Sequence, residues 1–375
     1  MCSADWKTPA SRRRSTGRRI CARSSTAPAR SCCATACRAS PTGRRRWTPP
    51  VPPNACVPRP ASSPRPCAPG RRPSNWRRSS PRRWSAELRP VRVAAVVVNY
   101  HTGPLLGDCL RRLLRCAELA ELVLVDNGSV PGEIDTLLAE LDDRRILRLD
   151  LPNNPGFAVG CNRGARACSS PWLLIVNPDC LVEPDTLERL GRVASGHERL
   201  GVLGALLVDG QGRPDPASLR RDPLPGRAIA SALGLDRFDA IDGVPLPIPF
   251  GQIEPMQGDA VSGALMLVRR EAWNAARGFD EGYFMHAEDL DLCRRVRELG
   301  WQVWCAPAVH VVHVKGVSSR SHPLRVELYK HRGLLRYFDK FDAPRCAWPL
   351  RALVRIGAWA RLLLVLGRGA LRLRG

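Results

Sequence analysis

The sequence predicts an α/β protein with a mostly parallel central sheet flanked by helices and a C-terminal helical tail. Three observations predict it. From Val91 to about residue 200, short apolar runs alternate with amphipathic stretches, which is the pattern of strand–helix–strand units. The runs are continuously apolar, as suits strands covered on both faces. Three of them end in short polar clusters.

The elements follow in order. "VRVAAVVVNY" reads as a buried parallel strand. In "PLLGDCLRRLLRC", Leu105, Leu106, Cys109, Leu110, Leu113 and Leu114 share one helical stripe. "ELVLVDNGS" is a second strand, "GEIDTLLAEL" a helix and "RILRL" a third strand. "NNPGFAVGCNRGARA" leads from a loop into a helix, and "WLLIVNPD" is a fourth strand. Pro184 is expected to open the next helix, since its fixed φ suits the first helical position. "VLGALLVDGQGRPD" predicts a hairpin around Asp209–Gly212. Residues 213–260, rich in Pro and Gly and poorly periodic, read as loops lining a site or a partner surface. "SGALMLVRREAW" is a strand running into a short helix, "FMHAEDLDLCRR" opens an acidic helix, and "WQVWCAPAVHVVHVKGVSS" is a late strand.

The net charge of +23 invites a nucleic-acid reading, but the charge lies at the two ends. Residues 1–90 hold 21 Lys and Arg against Asp5 and Glu87 alone. Residues 344–375 hold seven arginines and no acid. The stretch 91–343 has 30 basic and 33 acidic residues, so the expected folded body is near neutral. A basic nucleic-acid binder needs the charge on that body, and no nucleic-acid partner is expected.

The division expected is therefore 1–90, 91–330 and 331–375. The first segment is patternless Arg, Pro, Ser, Ala and Cys and cannot bury enough apolar surface to offset ordering entropy. It reads as a disordered basic segment or as the translation of GC-rich DNA upstream of the true start, and is expected to be dispensable. A basic arm and a transit peptide are the other readings. The eight cysteines beyond it lie singly, none in CxxC, as reduced buried thiols would. No secretory signal and no membrane-spanning run is visible, so a cytoplasmic protein is expected. The tail carries its arginines on about half of a helical wheel, which fits either a helix on an anionic membrane surface or one docked on the body.

In open α/β sheets ligands bind beyond the carboxyl ends of the strands. There the sequence supplies Asn99 and Tyr100, then Asp126, Asn127, Gly128 and Ser129, then Asn177, Pro178 and Asp179. The first turn lacks GxGxxG, which disfavours a dinucleotide site. The glycines come later, at Gly156, Gly160 and Gly164, with Asn154 and Asn162 beside them offering amides to a base or ribose edge. Asp179 with one late histidine could hold a hard dication. His310 and His313 are three apart on a strand and face opposite ways, so at most one serves.

Seven segments, "VVVNYHTGPLLGDCL", "LVLVDNGS", "NNPGFAVGCNRGA", "WLLIVNPDCLVEPDTL", "SGALMLVRREAW", "GFDEGYFMHAEDLDLCRRVRELGW" and "HVKGVSS", span roughly residues 92–320. Together and in this order they resemble a family-2 glycosyltransferase of the GT-A fold, in its rhamnosyltransferase-like branch. The resemblance implies an inverting, metal-dependent transferase. It would move a sugar, rhamnose being one candidate, from a nucleoside-diphosphate sugar to a saccharide or polyprenyl-linked acceptor in bacterial surface polysaccharide synthesis. It implies nucleotide-sugar contacts from Asn99, Tyr100, Asp126, Asn127, Asn154, Gly156 and Asn162. Asn177-Pro178-Asp179 falls in the Asp-x-Asp slot, which makes Asp179 and His313 the ligands of Mg²⁺ or Mn²⁺ and Asn177 a weaker neutral contributor. Glu288 and Asp289 match the catalytic pair, with Asp289 as the base. His313 is placed by Gly316 and Ser318 after it. Peripheral contact with the inner face of the cytoplasmic membrane would suit a lipid-linked acceptor.

Helical spacing separates the acids. Asp289 shares a stripe with Leu292, Val296 and Leu299 and is expected to point inward. Asp291 lies four residues before Arg295 and reads as a surface ion pair, and Asp280 as a turn residue. The rival readings are a nucleotidyltransferase, a catalytically inactive scaffold and the nucleic-acid binder. Asparagine in the first acidic slot keeps the scaffold open.

Overall fold

The structure is a computed structural model that describes residues 91–129, 132–238, 241–315 and 323–372. The expectations for residues 1–90, and for Gly316 and Ser318 of the late motif, lie outside the described residues. In chain order the elements are β1 (Val93–Asn99), α1 (Pro104–Leu114), β2 (Leu119–Asp126), α2 (Glu133–Leu141), β3 (Ile146–Asp150), α3 (Phe157–Arg166) and β4 (Trp172–Val176). There follow β5 (Cys180–Leu181), α4 (Thr186–Ser195), β6 (Leu200–Val208), β7 (Leu219–Arg220), α5 (Pro225–Leu233), β8 (Met256–Gln257) and β9 (Ala260–Val261). The chain continues through β10 (Leu265–Arg269), α6 (Arg270–Ala275), α7 (Glu288–Glu298), β11 (Gln302–His313), α8 (Pro323–Tyr337) and α9 (Trp348–Arg372).

The main sheet runs β3-β2-β1-β4-β10-β6-β11-β5, with β8 also paired to β11. β3, β2, β1 and β4 are parallel, and β6 and β11 run the same way beyond the reversed β10. This is the mostly parallel α/β sheet that the sequence predicts. Parallel register puts Asn99 opposite Asp126, and Val97 opposite Val176. The polar ends of three strands therefore meet at one edge.

Strand alternation sorts β1 onto two cores. Val93, Ala95 and Val97 join Leu106, Leu110, Leu113, Leu187 and Leu190 of α1 and α4. Ala94, Val96 and Val98 join Ala158 and Cys161 of α3, Trp273 of α6, Leu292 of α7 and Tyr337 of α8. Both faces are covered, which is why the strands are apolar throughout.

The structure departs from the sequence reading in four places. Pro184 precedes the helix, which begins at Thr186 behind Asp185. The segment 213–260 contains α5 and the strand pair β7–β9, not loops alone. Leu299 caps α7 and is exposed, because the helix leaves the core before it. The tail does not begin at residue 331, because α8 runs through that position, and buried Tyr337 and Phe341 belong to the second core. The hairpin after β6 forms as expected, with Asp209 and Arg213 closing it. The eight cysteines among the described residues are free; Cys168 and Cys346 are half-buried and the others buried.

Candidate active site

The ends of β1 and β2 are locked together. Asn99 donates from Nδ2 to Ser129 Oγ at 2.8 Å, and Asp126 Oδ1 accepts the Ser129 N–H at 3.1 Å. Asn127 donates both amide hydrogens, to Asn154 Oδ1 at 3.2 Å and to the Gly156 carbonyl at 3.1 Å. Asn154 sits at φ 43°, and Gly156 at φ 105° presses against the Phe284 carbonyl, where a Cβ would come within 2.7 Å. Only glycine fits there. The loop after β3 is thereby fastened to the segment that leads into α7. Tyr100, half-buried at the mouth, packs edge-on against His101.

Asn162 behaves differently from its expected nucleotide contact. Its amide donates to the Phe279 carbonyl and to Glu281 Oε1, both at 2.9 Å, and its carbonyl oxygen accepts the Phe279 N–H at 2.9 Å. Both amide hydrogens are engaged, so the residue clamps the loop after α6 to α3.

Asp179 follows β4, and His313 ends β11, whose pairing with β5 brings the two together. His313 Nε2 lies 3.4 Å from Asp179 Oδ1, and both side chains are largely buried. His310, three residues earlier, is exposed. The ring of His313 also lies 4.0 Å by Nδ1 from Asp215 Oδ2, too far for a hydrogen bond but close enough to feel its charge. Asp215 is in turn paired with Lys315 at 2.8 Å. Burial alone would push the Asp215 pKa up, but His313 and Lys315 outweigh it and hold it low. Burial likewise disfavours protonated His313, yet Asp179 and Asp215 raise its pKa to about 9.

This donor set fits a divalent cation. It offers a carboxylate oxygen and an imidazole nitrogen within one coordination sphere, while buried His313 Nδ1 has no partner among the described residues. Cys180 Sγ lies in the same group, but it donates to the Ala264 carbonyl at 3.2 Å, and burial holds it as a thiol. Asn177, half-buried, hydrogen-bonds through its backbone to Ala264. A cation held here by Asp179 and His313 would have to displace the His313 proton. Mn²⁺ affinity is therefore expected to rise up to about tenfold per pH unit from pH 6 to 8. Calorimetry across that range checks it, and a flat profile contradicts it.

The acids of α7 are the third part. Two successive residues before the helix, His286 and Ala287, sit at φ 68° and 69°. Left-handed backbone at non-glycine residues is strained by about 1–3 kcal/mol each, and such strain clusters at functional sites. Asp289 then points inward. Its Oδ2 accepts from Arg220 Nη2 at 2.6 Å and from the Gly263 N–H at 2.9 Å, and its Oδ1 accepts the Leu290 N–H at 2.8 Å. A Cβ on Gly263 would stand 3.1 Å from that of Asp289, so glycine permits the approach. Burial raises the Asp289 pKa, but Arg220 and the two N–H donors overcome it and hold the carboxyl below its ordinary value. Glu288, buried beside it and only weakly offset by the Arg220 charge, is pushed up to about 8 by burial and by the Asp289 charge. The two neighbouring carboxyls are thus pushed apart, Asp289 towards its charged form and Glu288 towards its protonated one.

Asp291 is not a surface residue. It is fully buried, with Arg295 Nε at 2.5 Å, Lys340 Nζ at 2.6 Å and Tyr283 OH at 3.3 Å. The Arg295 pairing holds as read, but Lys340, beyond α8, also closes over Asp291. Asp291→Ala is expected to cost about 3–5 kcal/mol, since it leaves two cations without their buried partner. Chemical denaturation measures this, and a loss under 1 kcal/mol contradicts the burial. Asp280 is a turn residue as read, and also pairs with Arg336 and Lys340.

Sequence reasoning missed Arg220 and Asp215. Neither lies in a periodic segment, and an arginine in "SLRRDP" carries no local sign of its distant partner. Asn99 Oδ1, Asn127 Oδ1, His286 Nε2, Glu288 Oε2 and His313 Nδ1 are buried polar atoms without partners among the described residues. Orphaned polar groups are costly, and those of Asn99 and Asn127, at and just beyond the ends of β1 and β2, fit a polar ligand that completes them.

Residues 90–326 match the family model described as glycosyltransferase like family 2. The chain is 30% identical over 242 residues to N-acetylglucosaminyl-diphospho-decaprenol L-rhamnosyltransferase of Mycobacterium tuberculosis, covering 61% of this chain and 78% of that protein. It is 28% identical over 263 residues to rhamnosyltransferase WbbL of Escherichia coli, covering 66% and 93%. Among solved structures, mannosyltransferase PcManGT from Pyrobaculum calidifontis, in complex with GDP-Man and Mn²⁺, aligns with a TM-score of 0.47 at 16% identity, covering 76% and 82%.

Proposed function

The chain belongs to glycosyltransferase family 2, and from that premise we propose that it is an inverting, metal-dependent transferase. It moves a sugar, rhamnose in the reading its relatives favour, from a nucleoside diphosphate to a saccharide or polyprenyl-linked acceptor. The product serves bacterial surface polysaccharide synthesis at the inner face of the cytoplasmic membrane. The observation that carries the reading is the placement of three groups at one sheet edge: the side-chain carbonyl oxygens of Asn99 and Asn127, without partners among the described residues, the Asp179–His313 pair and inward Asp289.

In this reading Asn99, Tyr100, Asp126, Asn127, Asn154 and Gly156 form the nucleotide end. Asp179 and His313 would hold Mg²⁺ or Mn²⁺, with Asn177 beside them as a neutral donor. A cation bound there would supply positive charge against the diphosphate as the sugar C1–O bond breaks. Asp289, kept ionised by Arg220, accepts the proton of the acceptor hydroxyl as that oxygen attacks C1 from the opposite face. Arg220 is the positioning group, since it fixes the carboxylate rotamer and its charge. Burial and the Asp289 charge favour the protonated form of Glu288, which lowers the charge that the pair carries.

The experiment is a panel of nucleoside-diphosphate sugars with Mn²⁺ or chelator, read by released nucleoside diphosphate. One donor should be consumed, and only with the metal. Silence with every donor would favour the inactive-scaffold reading.

A further inference from the structure

Helix α9 wears its polarity the wrong way round for a water-facing helix. Leu362 is buried, on the side of the helix held towards α8. At 100° per residue, Leu350, Leu353, Ile356, Gly357, Ala360, Leu363, Leu364 and Gly367 fall within an arc of about 140° centred opposite Leu362. All eight are exposed, and none is charged. The five large ones are between 42% and 69% exposed. Trp359 and Arg361 flank the arc, one on each side, and both are exposed.

We propose that α9 is a membrane-docking helix, lying along an anionic lipid surface through this outward apolar face. Its length, 25 residues or about 37 Å, gives a long contact line. No helix among the described residues is long and apolar enough to cross a membrane, so the helix lies on the surface and does not span it. Residues 344–375 contain seven arginines and no acid, a charge complementary to anionic headgroups. The indole ring of exposed Trp359, beside the arc, suits the headgroup level. The same charge disfavours a second copy as occupant, because two acid-free, arginine-rich helices would meet without counter-charges.

The helix is already braced for this role. Arg361 Nη1 donates to His331 Nε2 at 3.1 Å, and Arg355 pairs with Asp339 at 2.8 Å. The apolar face is thus presented by the fold and needs no membrane to form.

The test is flotation of the full-length chain with phosphatidylglycerol vesicles in about 0.5 M NaCl, where the Debye length is only ~4 Å. At that salt, attraction through the arginines of residues 1–90 is screened and apolar insertion remains. The wild type should float at that salt, and in about 0.1 M NaCl, where the Debye length is ~10 Å, it should float more strongly with phosphatidylglycerol than with phosphatidylcholine vesicles. Ile356→Asp with Leu363→Asp should lower partitioning at least tenfold. Circular dichroism and lipid-free donor turnover should be unchanged in that variant, which separates this inference from the glycosyl-transfer reading. Three results would overturn it: a wild type that stays unbound, a variant that floats equally well, or light scattering that finds a wild-type dimer which the variant dissolves.

Discussion

Asp289→Asn is expected to lower turnover by about 10²–10⁴-fold, the usual cost of removing a general base, with donor affinity little changed. The amide keeps the size and direction of the carboxylate. It can still accept from the Gly263 N–H, but it cannot take a proton. It also leaves Arg220 without its buried counter-charge, so some loss of stability accompanies the change. The two effects are separable, because a folded variant that binds donor normally and fails to turn over has lost chemistry alone. Asp291→Asn is the matched control on the same helix. It perturbs a buried ion cluster just as closely, yet its partners Arg295 and Lys340 are structural cations. Equal turnover losses in the two variants, with both still folded, would assign both acids to helix architecture. A loss confined to donor binding in the Asp289 variant would make that residue a donor contact.

Asp179→Ala is expected to abolish metal-dependent turnover and to remove the Mn²⁺ binding seen by calorimetry. The Asn177 amide is a poor replacement for a charged oxygen ligand. His313→Ala should weaken Mn²⁺ binding while leaving part of it, and His310→Ala, at an exposed position, should leave it intact. Loss of metal response in the His310 variant with retention in the His313 variant would reverse the assignment.

The sheet was legible because its strands are apolar on both faces and its helices carry single stripes. Reading Asn99, Asp126 and Asp179 as neighbours followed from parallel topology alone. The separation of His310 from His313 followed from strand alternation. Chemistry set by distant contacts was not legible. Arg220 reaches Asp289 across 69 positions, and Lys340 reaches Asp291 across 49. Local spacing gave Asp291 only its Arg295 partner, so it read as a surface acid. Asn162 looked like a nucleotide contact because asparagine after a glycine loop offers its amide. Its engagement with Phe279 and Glu281 depends on how a loop more than a hundred residues later returns. Helix α5 was hidden among prolines and glycines that mark its borders at Pro225 and Gly234.

The most direct test of a single base at Asp289 is the anomeric configuration of the product. Proton and carbon NMR of the transferred sugar, compared with the donor, reads it in one experiment. Attack by an acceptor hydroxyl deprotonated by Asp289 predicts inversion at C1. Retention would require a different chemistry at the sugar and would contradict the role assigned to Asp289.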